Sequence, residues 1–462
     1  MPRSWSGGCV NQVQARAPSS MTDRKYFVET YGCQMNVNDS EKAAGLLEAN
    51  GMIRSETPDG ADVIFVNTCA VRERAAEKLY HAVGRYRTLK KENPGLKIAV
   101  GGCVAQLQGT EILDRAPAVD VLLGTHNLGD LPSLLERARE SGGRQVALDK
   151  KADAFAISSD LVAHSSRTRA YVTVVEGCNH VCSFCVVPKT RGAEVCRSPE
   201  SIVEEVRSLV KRGYHEVMLL GQTVNAYRFD DVDFPSLLRM VHDCDERLWR
   251  LRFTTSHPAH VDERFARCFA ELHRLCPYLH LPVQSGADGI LSDMRRGYTA
   301  AEYLDRLALL RRHRPDLALT ADVIVGYPGE TEADFEDTCR LVGEAAFEGL
   351  FVFLYSPRPG TTAVRKADDV SEVEKKRRFK VLDEQQQRRQ RSKNQLRIDV
   401  IEDVLIEEIV NGKARGRTPH FRQVHVELDE ATARGAIGNV VRVRITEAFP
   451  NSLRGVCLGE LH

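Results

Sequence analysis

Six cysteines in this chain are spaced so that three thiolates can converge at each of two places. Cys178, Cys182 and Cys185 lie within eight residues, in the run Gly177-Cys178-Asn179-His180-Val181-Cys182-Ser183-Phe184-Cys185. Three thiolates on so short a loop can wrap three irons of a four-iron cubane and leave the fourth iron without a protein ligand. A metal that must chelate a substrate needs such an open position, whereas a structural metal closes with four ligands. A zinc knuckle is the competing reading. It would want a fourth Cys or His nearby, and His180 inside the loop and Cys196 beyond it are the nearest.

The second set, Cys33, Cys69 and Cys103, is spread 36 and 34 residues apart, each interval about one strand-plus-helix unit. Each cysteine follows a strand-like run, at 25–30, 62–66 and 97–100, and precedes a helical pattern, starting near 39, 72 and 106. All three therefore stand just beyond the carboxyl end of a strand, the edge at which α/β sheets bind ligands. Glycines beside Cys33 and Cys103 permit the tight turn that aims a side chain out of the sheet. Free cysteines are often simply buried small hydrophobes, and zinc with a fourth ligand from elsewhere is a further alternative. Three thiolates with an open position suit an iron–sulfur cluster if something must bind the free iron.

The elements that must position these residues form two α/β series and a β-rich end. After a stretch poor in core-forming pattern, strand-like runs recur at 169–175, 216–220, 249–253, 278–281, 319–325 and 350–354. Helical segments separate them near 200–212, 234–247, 261–274, 300–313 and 332–346. Six βα units in a row predict a parallel, barrel-like sheet with its site at the carboxyl ends of the strands. Gln222, Asn225, Thr255, Ser256, His257, Gln284, Ser285, Asp322, Tyr355 and Ser356 fall on that rim, where they favour a small-molecule pocket.

At 462 residues the chain is long enough for two or three domains. The expected order is a disordered tail (1–23), an N-terminal doubly wound α/β domain (24–140), a linker (141–163), the barrel (164–395) and a small C-terminal β-barrel (396–462). No apolar run reaches the roughly 20 residues of a membrane span, and the first twenty residues lack the apolar core of a secretory signal, so a cytoplasmic protein is expected. Thirteen cysteines are an odd number in a large chain, which argues for metal-binding thiolates rather than a disulfide framework. Lys+Arg and Asp+Glu both total 64, so any nucleic-acid partner must be met by a local basic patch.

CxxxCxxC after a first barrel strand resembles the radical S-adenosylmethionine (SAM) superfamily, as does Gly326-Tyr327-Pro328-Gly329-Glu330 after the fifth. A cysteine-bearing α/β domain ahead of such a barrel resembles the methylthiotransferases, and the MiaB-type tRNA branch in particular. That likeness is carried by residues 31–36, 67–73, 221–227, 254–258 and 281–286, and it extends over about residues 24 to 460. Thr223 and Ala287 depart from the residues that branch often has.

The resemblance implies two 4Fe–4S clusters, a partial (β/α)6 barrel, and SAM chelated by the open iron of the barrel cluster. It implies SAM contacts at Phe184, Gln222, Ser256, Gln284, Asp322 and Gly326. It further implies a deoxyadenosyl radical that abstracts hydrogen from adenine carbon 2 of isopentenyladenosine beside the tRNA anticodon, with sulfur delivered at the second cluster. A reductant such as flavodoxin or ferredoxin, iron–sulfur carrier proteins and a monomeric state go with it. The competing readings are a methylthiotransferase acting on threonylcarbamoyladenosine or a ribosomal-protein side chain, and an iron–sulfur RNA-binding sensor.

From 364 to 397 the chain is charge-dense and helical in pattern, and beyond 400 it alternates like a small barrel resembling the OB-like TRAM module. Arg415, Arg417, His420, Phe421 and Arg422 are expected on one loop, with Arg415, Arg417, Phe421 and Arg422 as candidate contacts to phosphates and a stacked base. Basic helix faces are otherwise usually only solvated.

Overall fold

The computed structural model describes residues 21–70, 73–151, 155–410, 413–428, 433 and 435–461, which form two compact units. The first comprises residues up to Ala163 together with Lys189–Arg191; the second comprises His164–Pro188 and Gly192 onward. Residues 1–20 of the expected tail, with Cys9, lie outside the described residues. Met21, also expected in the tail, is instead fully buried in the core with Tyr26, Leu47 and Met52.

The first unit is a six-stranded parallel sheet of β1 (Lys25–Tyr31), β2 (Ile53–Arg54), β3 (Val63–Thr68), β4 (Lys97–Gly102), β5 (Val121–Leu123) and β6 (Gln145–Ala147), in the order β2-β1-β3-β4-β5-β6. β3 is buried along its whole length, so it reads as a continuous apolar run rather than an alternating one. β6 lies in the stretch expected to be linker; it pairs with β5 and extends the sheet. The register places Tyr31 opposite Thr68 and Thr68 opposite Gly102. Three neighbouring strands thus end level, and Cys33, Cys69 and Cys103 leave them at one edge.

In the second unit six parallel strands form two half-sheets. β7 (Arg169–Thr173), β8 (Glu216–Leu220) and β9 (Arg250–Phe253) make one; β10 (Tyr278–His280), β11 (Ala318–Val325) and β12 (Gly349–Leu354) make the other. A parallel bridge between Leu251 and Leu275 links them. Helices Pro199–Lys211, Phe234–His242, Glu263–Glu271, Ala300–His313 and Glu332–Ala345 alternate with the strands. The interior is apolar, from Val172, Leu219 and Leu251 through Leu279, Val323 and Phe347. The C-terminal strands β13 (Ile401–Val410), β14 (Lys413–Arg417), β15 (Gln423–Glu427), β16 (Val440–Ala448) and β17 (Leu453–Leu461) close into a barrel in the order β13-β14-β15-β17-β16.

Charge binds the two barrels of this unit together. Glu216, at the start of β8, is 1% exposed and meets Arg169 Nε at 2.6 Å and Arg252 Nε at 3.1 Å, with Arg250 at 3.8 Å. Arg250 donates to the carbonyls of Arg417 and Asp403, and Arg252 to those of Pro419 and Thr418. Phe421 completes the seat. Its ring lies 4.5 Å from the Arg417 guanidinium, 4.8 Å from that of Arg252, 5.3 Å from that of Arg169 and 4.9 Å from the Tyr278 ring. Phe421, the expected base-stacking aromatic, is half-buried and makes these contacts within the unit, and Arg415 and Arg417 sit on strand β14 rather than on a loop with it.

The basic helix Glu372–Gln395 also turns cations inward. Lys375 is 1% exposed, and Arg378 is 4% exposed with Glu330 at 2.7 Å. Arg389 and Lys393 donate to the carbonyls of Val342, Gly343 and Ala346 at the end of Glu332–Ala345, where a helix terminus attracts positive charge.

Burial alone would raise the Glu216 carboxyl; Arg252, Arg169 and Arg250 more than offset it and hold it down to about 2. A carboxyl lowered on folding stabilises fully above its unfolded value near 4.5 and loses that contribution as pH falls toward 2. Glu216→Gln leaves the buried Arg250 and Arg252 guanidiniums without their carboxylate, while Arg169 keeps Glu407, and is expected to cost about 3–5 kcal/mol. A urea-unfolding midpoint measured between pH 4.5 and 7 checks this: the wild type should exceed the variant throughout, and equal midpoints refute it.

Candidate iron–sulfur sites and the barrel mouth

At the mouth of the larger barrel, the loop after β7 is forced into shape by Gly177. Its φ is +81°, and a Cβ there would stand 2.0 Å from the Ala193 carbonyl oxygen, so only glycine delivers Cys178 to its position. The Gly177 N–H donates to Gln222 Oε1, and the Cys178 N–H to the Gly192 carbonyl. Each sulfur has its own neighbour: Thr223 Oγ1 lies 3.3 Å from Cys178 Sγ, Arg296 Nη1 donates to Cys182 Sγ at 3.3 Å, and the Val187 N–H donates to Cys185 Sγ at 3.4 Å.

Burial pushes the Cys185 thiol up to about 12 and raises that of Cys178, and charge on Cys182 raises both further. The three sulfurs thus sense one another across a shared space. A tetrahedral zinc would draw its sulfurs to about 3.8 Å apart. Among the described residues, the group of three candidate ligands that closes within 4.8 Å consists of histidines and includes no cysteine. Three sulfurs on one short loop fit the three protein-held irons of a multi-iron group. Cys196 does not join the trio; its sulfur accepts from the Arg228 N–H at 3.5 Å.

The histidines are His180, from the cysteine loop, with His257 and His260. His180 Nε2 stands 3.2 Å from His260 Nε2, and the His180 ring stacks on His257 at 4.0 Å and 17°. Stacked rings do not aim their in-plane lone pairs at one point, so this is a packing cluster rather than a zinc site. Burial holds all three imidazoles toward neutrality, with His180 down at about 4. Asn225 clamps the His257 backbone on both sides, donating to its carbonyl and accepting from its N–H.

The expected SAM contacts Gln222, Ser256, Gln284 and Gly326 follow the carboxyl ends of strands, whereas Asp322 sits within β11. Gln222 Nε2, Ser256 Oγ, His257 Nε2 and Tyr355 OH are buried without a protein partner, as fits a pocket that takes a polar ligand. Thr255 and Gln284 hold positive φ, +67° and +78°, a strained backbone of the kind found at ligand clamps. Asp322 faces His280 Nε2 at 3.4 Å. Phe184 packs beside Ile290, Met294, Tyr327 and Tyr355. Gly326 differs from expectation, because the side on which a Cβ would project is filled by the Lys375 chain at 2.3 Å. Its close approach is to the basic helix. Arg296, Thr223, His260 and Tyr298 were not among the expected site residues; Thr223 lies within the 221–227 stretch, and the other three carry no local motif.

In the first unit Cys33 caps helix α1 (Gln34–Ala49) and Cys103 opens helix α2 (Cys103–Gln108). Cys69 and Cys103 are buried, and the Cys69 N–H donates to the Tyr31 carbonyl. Gly102, at φ +92°, lets the turn pass where a Cβ would meet Asn67 Oδ1 at 2.2 Å. Asn67 in turn donates to the Asn36 carbonyl and to Ser40 Oγ, tying the β3 end to α1. A hydrogen bond from Cys69 holds the Cys33 thiol well below its usual range against burial, helped by the Arg191 guanidinium, whereas burial raises Cys103. Arg191 is 3% exposed and ion-paired with Asp39. Cys33 thus interacts with both other sulfurs, an arrangement that fits a thiolate-bound cluster.

Of the RNA candidates, Arg415 pairs with Glu408, Arg417 with Glu407 at 3.3 Å and Arg422 with Glu348 at 3.3 Å.

Residues 25–124 match the family described as "Uncharacterized protein family UPF0004", and residues 172–342 match the "Radical SAM superfamily". Among solved structures, the radical S-adenosylmethionine methyltransferase TsrM from Kitasatospora setae superposes with a TM-score of 0.54 at 15% identity over 74% of each chain. The cobalamin-dependent radical enzyme OxsB gives a TM-score of 0.50 at 12% identity, over 79% of this chain and 56% of that one. At such identities they speak for the fold alone. A curated relative from Chromobacterium violaceum, a tRNA-2-methylthio-N(6)-dimethylallyladenosine synthase, is 44% identical over 94% of this chain and 99% of its own. Another of that name from Cereibacter sphaeroides is 46% identical over 94% and 99%. With a radical SAM barrel, a cysteine-edged α/β domain and full-length identity of this order, the chain belongs to the tRNA-2-methylthio-N(6)-dimethylallyladenosine synthase family.

Proposed function

We propose that this chain inserts a methylthio group at carbon 2 of N6-isopentenyladenosine beside the anticodon of tRNA, by radical SAM chemistry. The observation that carries the reading is that both cysteine trios sit at strand ends in a chain related along its full length to such synthases. Cys178, Cys182 and Cys185 would hold one 4Fe–4S group and Cys33, Cys69 and Cys103 the other, each with an iron left open. Bound in this way, the clusters supply one-electron cleavage of SAM at the first and a sulfur-carrying position at the second.

The chain's own residues do the rest. Gln222 fixes the cysteine loop through the Gly177 N–H and keeps its Nε2 free for a ligand. Ser256 offers its unpartnered hydroxyl, and Asn225 keeps the Ser256–His257 turn in place. The apolar barrel interior excludes water from whatever radical is formed at its mouth. Phe184, Gln284 and Asp322 complete the proposed SAM contacts; the backbone of Gly326 belongs with them only on the face away from Lys375.

The substrate base is single-stranded in the anticodon loop and can be splayed into a pocket. The closed C-terminal barrel, read as a TRAM module, would engage the RNA through Arg415 and neighbouring cations, with Phe421 reserved for its internal contacts. A flavodoxin- or ferredoxin-class reductant, iron–sulfur carriers and a cytoplasmic location follow from this chemistry. No described helix is long and apolar enough to cross a membrane.

The deciding experiment incubates isopentenylated tRNA anaerobically with reconstituted protein, SAM, reductant and a sulfur source, and analyses the nucleosides by mass spectrometry. A methylthio-isopentenyladenosine peak is expected. Deoxyadenosine without that peak would redirect the reading to another substrate. Replacing any one of Cys178, Cys182 or Cys185 by Ala should lower deoxyadenosine formation at least ~100-fold, in line with loss of an essential catalytic unit; retained cleavage refutes the barrel assignment. Replacing Cys33, Cys69 or Cys103 should leave SAM cleavage largely intact, abolish the methylthio product and reduce bound iron by about four atoms per chain. Equal loss of both activities counts against that division of labour.

A further inference from the structure

We propose that Arg296 is the counter-charge of the barrel trio, a positioning residue whose guanidinium, donating to Cys182 Sγ, raises the reduction potential of the cluster held there. The proposal rests on the reading of Cys178, Cys182 and Cys185 given above. Arg296 is 6% exposed. Its side chain donates to Cys182 Sγ at 3.3 Å, to Tyr298 OH at 3.0 Å and to the Pro282 carbonyl at 3.1 Å. The last two acceptors are neutral, and among the described residues no carboxylate ion pair is found at this guanidinium.

Other buried arginines of the unit are matched by acids: Arg250 and Arg252 by Glu216, Arg378 by Glu330. Around Arg296 stand instead the histidine cluster and a second guanidinium, Arg306, 5.6 Å from the Tyr298 ring. A buried cation with no acid partner is strongly disfavoured unless something anionic completes it. The sulfur of Cys182, as a thiolate, is the candidate in contact.

The other two sulfurs face weaker groups, the Thr223 hydroxyl at Cys178 and the Val187 N–H at Cys185. Among the described residues, Cys182 is the one of the three whose sulfur accepts a hydrogen bond from a charged group. Reduction adds one electron to a cluster that its thiolates already make negative, and a desolvated cation at hydrogen-bond distance favours the more negative state. Hydrogen bonds to the sulfurs are among the groups that set such potentials.

The test is an EPR-monitored redox titration with dithionite, without SAM. It uses the full-length chain with Cys33, Cys69 and Cys103 replaced by alanine, so that one cluster reports. Arg296→Gln keeps amide donors but removes the charge; Arg296→Lys keeps the charge. The midpoint of R296Q is expected to move negative by on the order of 60 mV, a tenfold shift in a one-electron equilibrium, while R296K stays near the parent. An unmoved midpoint in fully iron-loaded R296Q, or R296K displaced as far as R296Q, overturns the proposal. Should R296Q retain no iron, R296K decides alone: a midpoint near the parent supports the counter-charge and a displaced one refutes it. A parent chain that loads no cluster overturns the reading of the trio itself, and the proposal with it.

Discussion

One carboxylate, that of Glu216, carries the heaviest electrostatic duty in the second unit. It lies at the amino-terminal end of its strand, opposite the edge that carries the cysteine loop, and three guanidiniums gather around it. Two of those guanidiniums also reach carbonyls of the C-terminal barrel. A buried charge tolerates little displacement, because each ångström lost from a partner is lost in a medium that screens poorly. The foot of the large barrel is therefore held by ion pairs, and its mouth is left with unpartnered polar atoms and strained backbone. Stability is concentrated at one end and ligand-binding capacity at the other, as in barrels generally.

The two cysteine trios solve the same coordination problem with different local means. In the first unit, level strand ends supply the convergence, and helix termini at Cys33 and Cys103 supply partial positive charge from backbone N–H groups. In the second, one loop supplies all three sulfurs, and the charge comes from a side chain distant in sequence. Around Cys33 the guanidinium of Arg191 is already matched by Asp39, whereas among the described residues Arg296 has no such match. The trios thus differ in net local charge although their ligand sets are alike.

Much of this was legible in the sequence, because fully buried parallel strands such as β3 and β8 read as short apolar runs. The CxxxCxxC spacing needs no tertiary context to be noticed. What escaped did so for physical reasons. Helix α1 begins directly after Cys33, yet its first turns bury Asn36, Asn38, Asp39, Ser40 and Glu41, so no apolar period marks its start. Strand β14 turns Ala414 and Gly416 inward, and a Cβ at Gly416 would stand 2.2 Å from the Leu405 carbonyl oxygen. Small residues chosen for close approach look like a loop. The cation–aromatic composition around Phe421 was read as a surface for RNA, but the same groups pack equally well against one another. Arg296 lies more than a hundred residues from the sulfur it touches, beyond the reach of any local pattern.

Arg191 has a consequence for how the protein can be made. It belongs to the first unit and pairs with Asp39 there, although the chain has by then entered the second unit and passed its cysteine loop. A nascent chain halted at Ala163 contains every strand of the first sheet but not the guanidinium that neutralises Asp39 and faces Cys33 and Cys103. The first unit is finished only when the ribosome has also delivered the ligands of the other trio. Truncation at the apparent domain boundary would yield a fragment lacking its own counter-ion, and splicing this sheet onto a foreign barrel would require carrying the Lys189–Arg191 segment along.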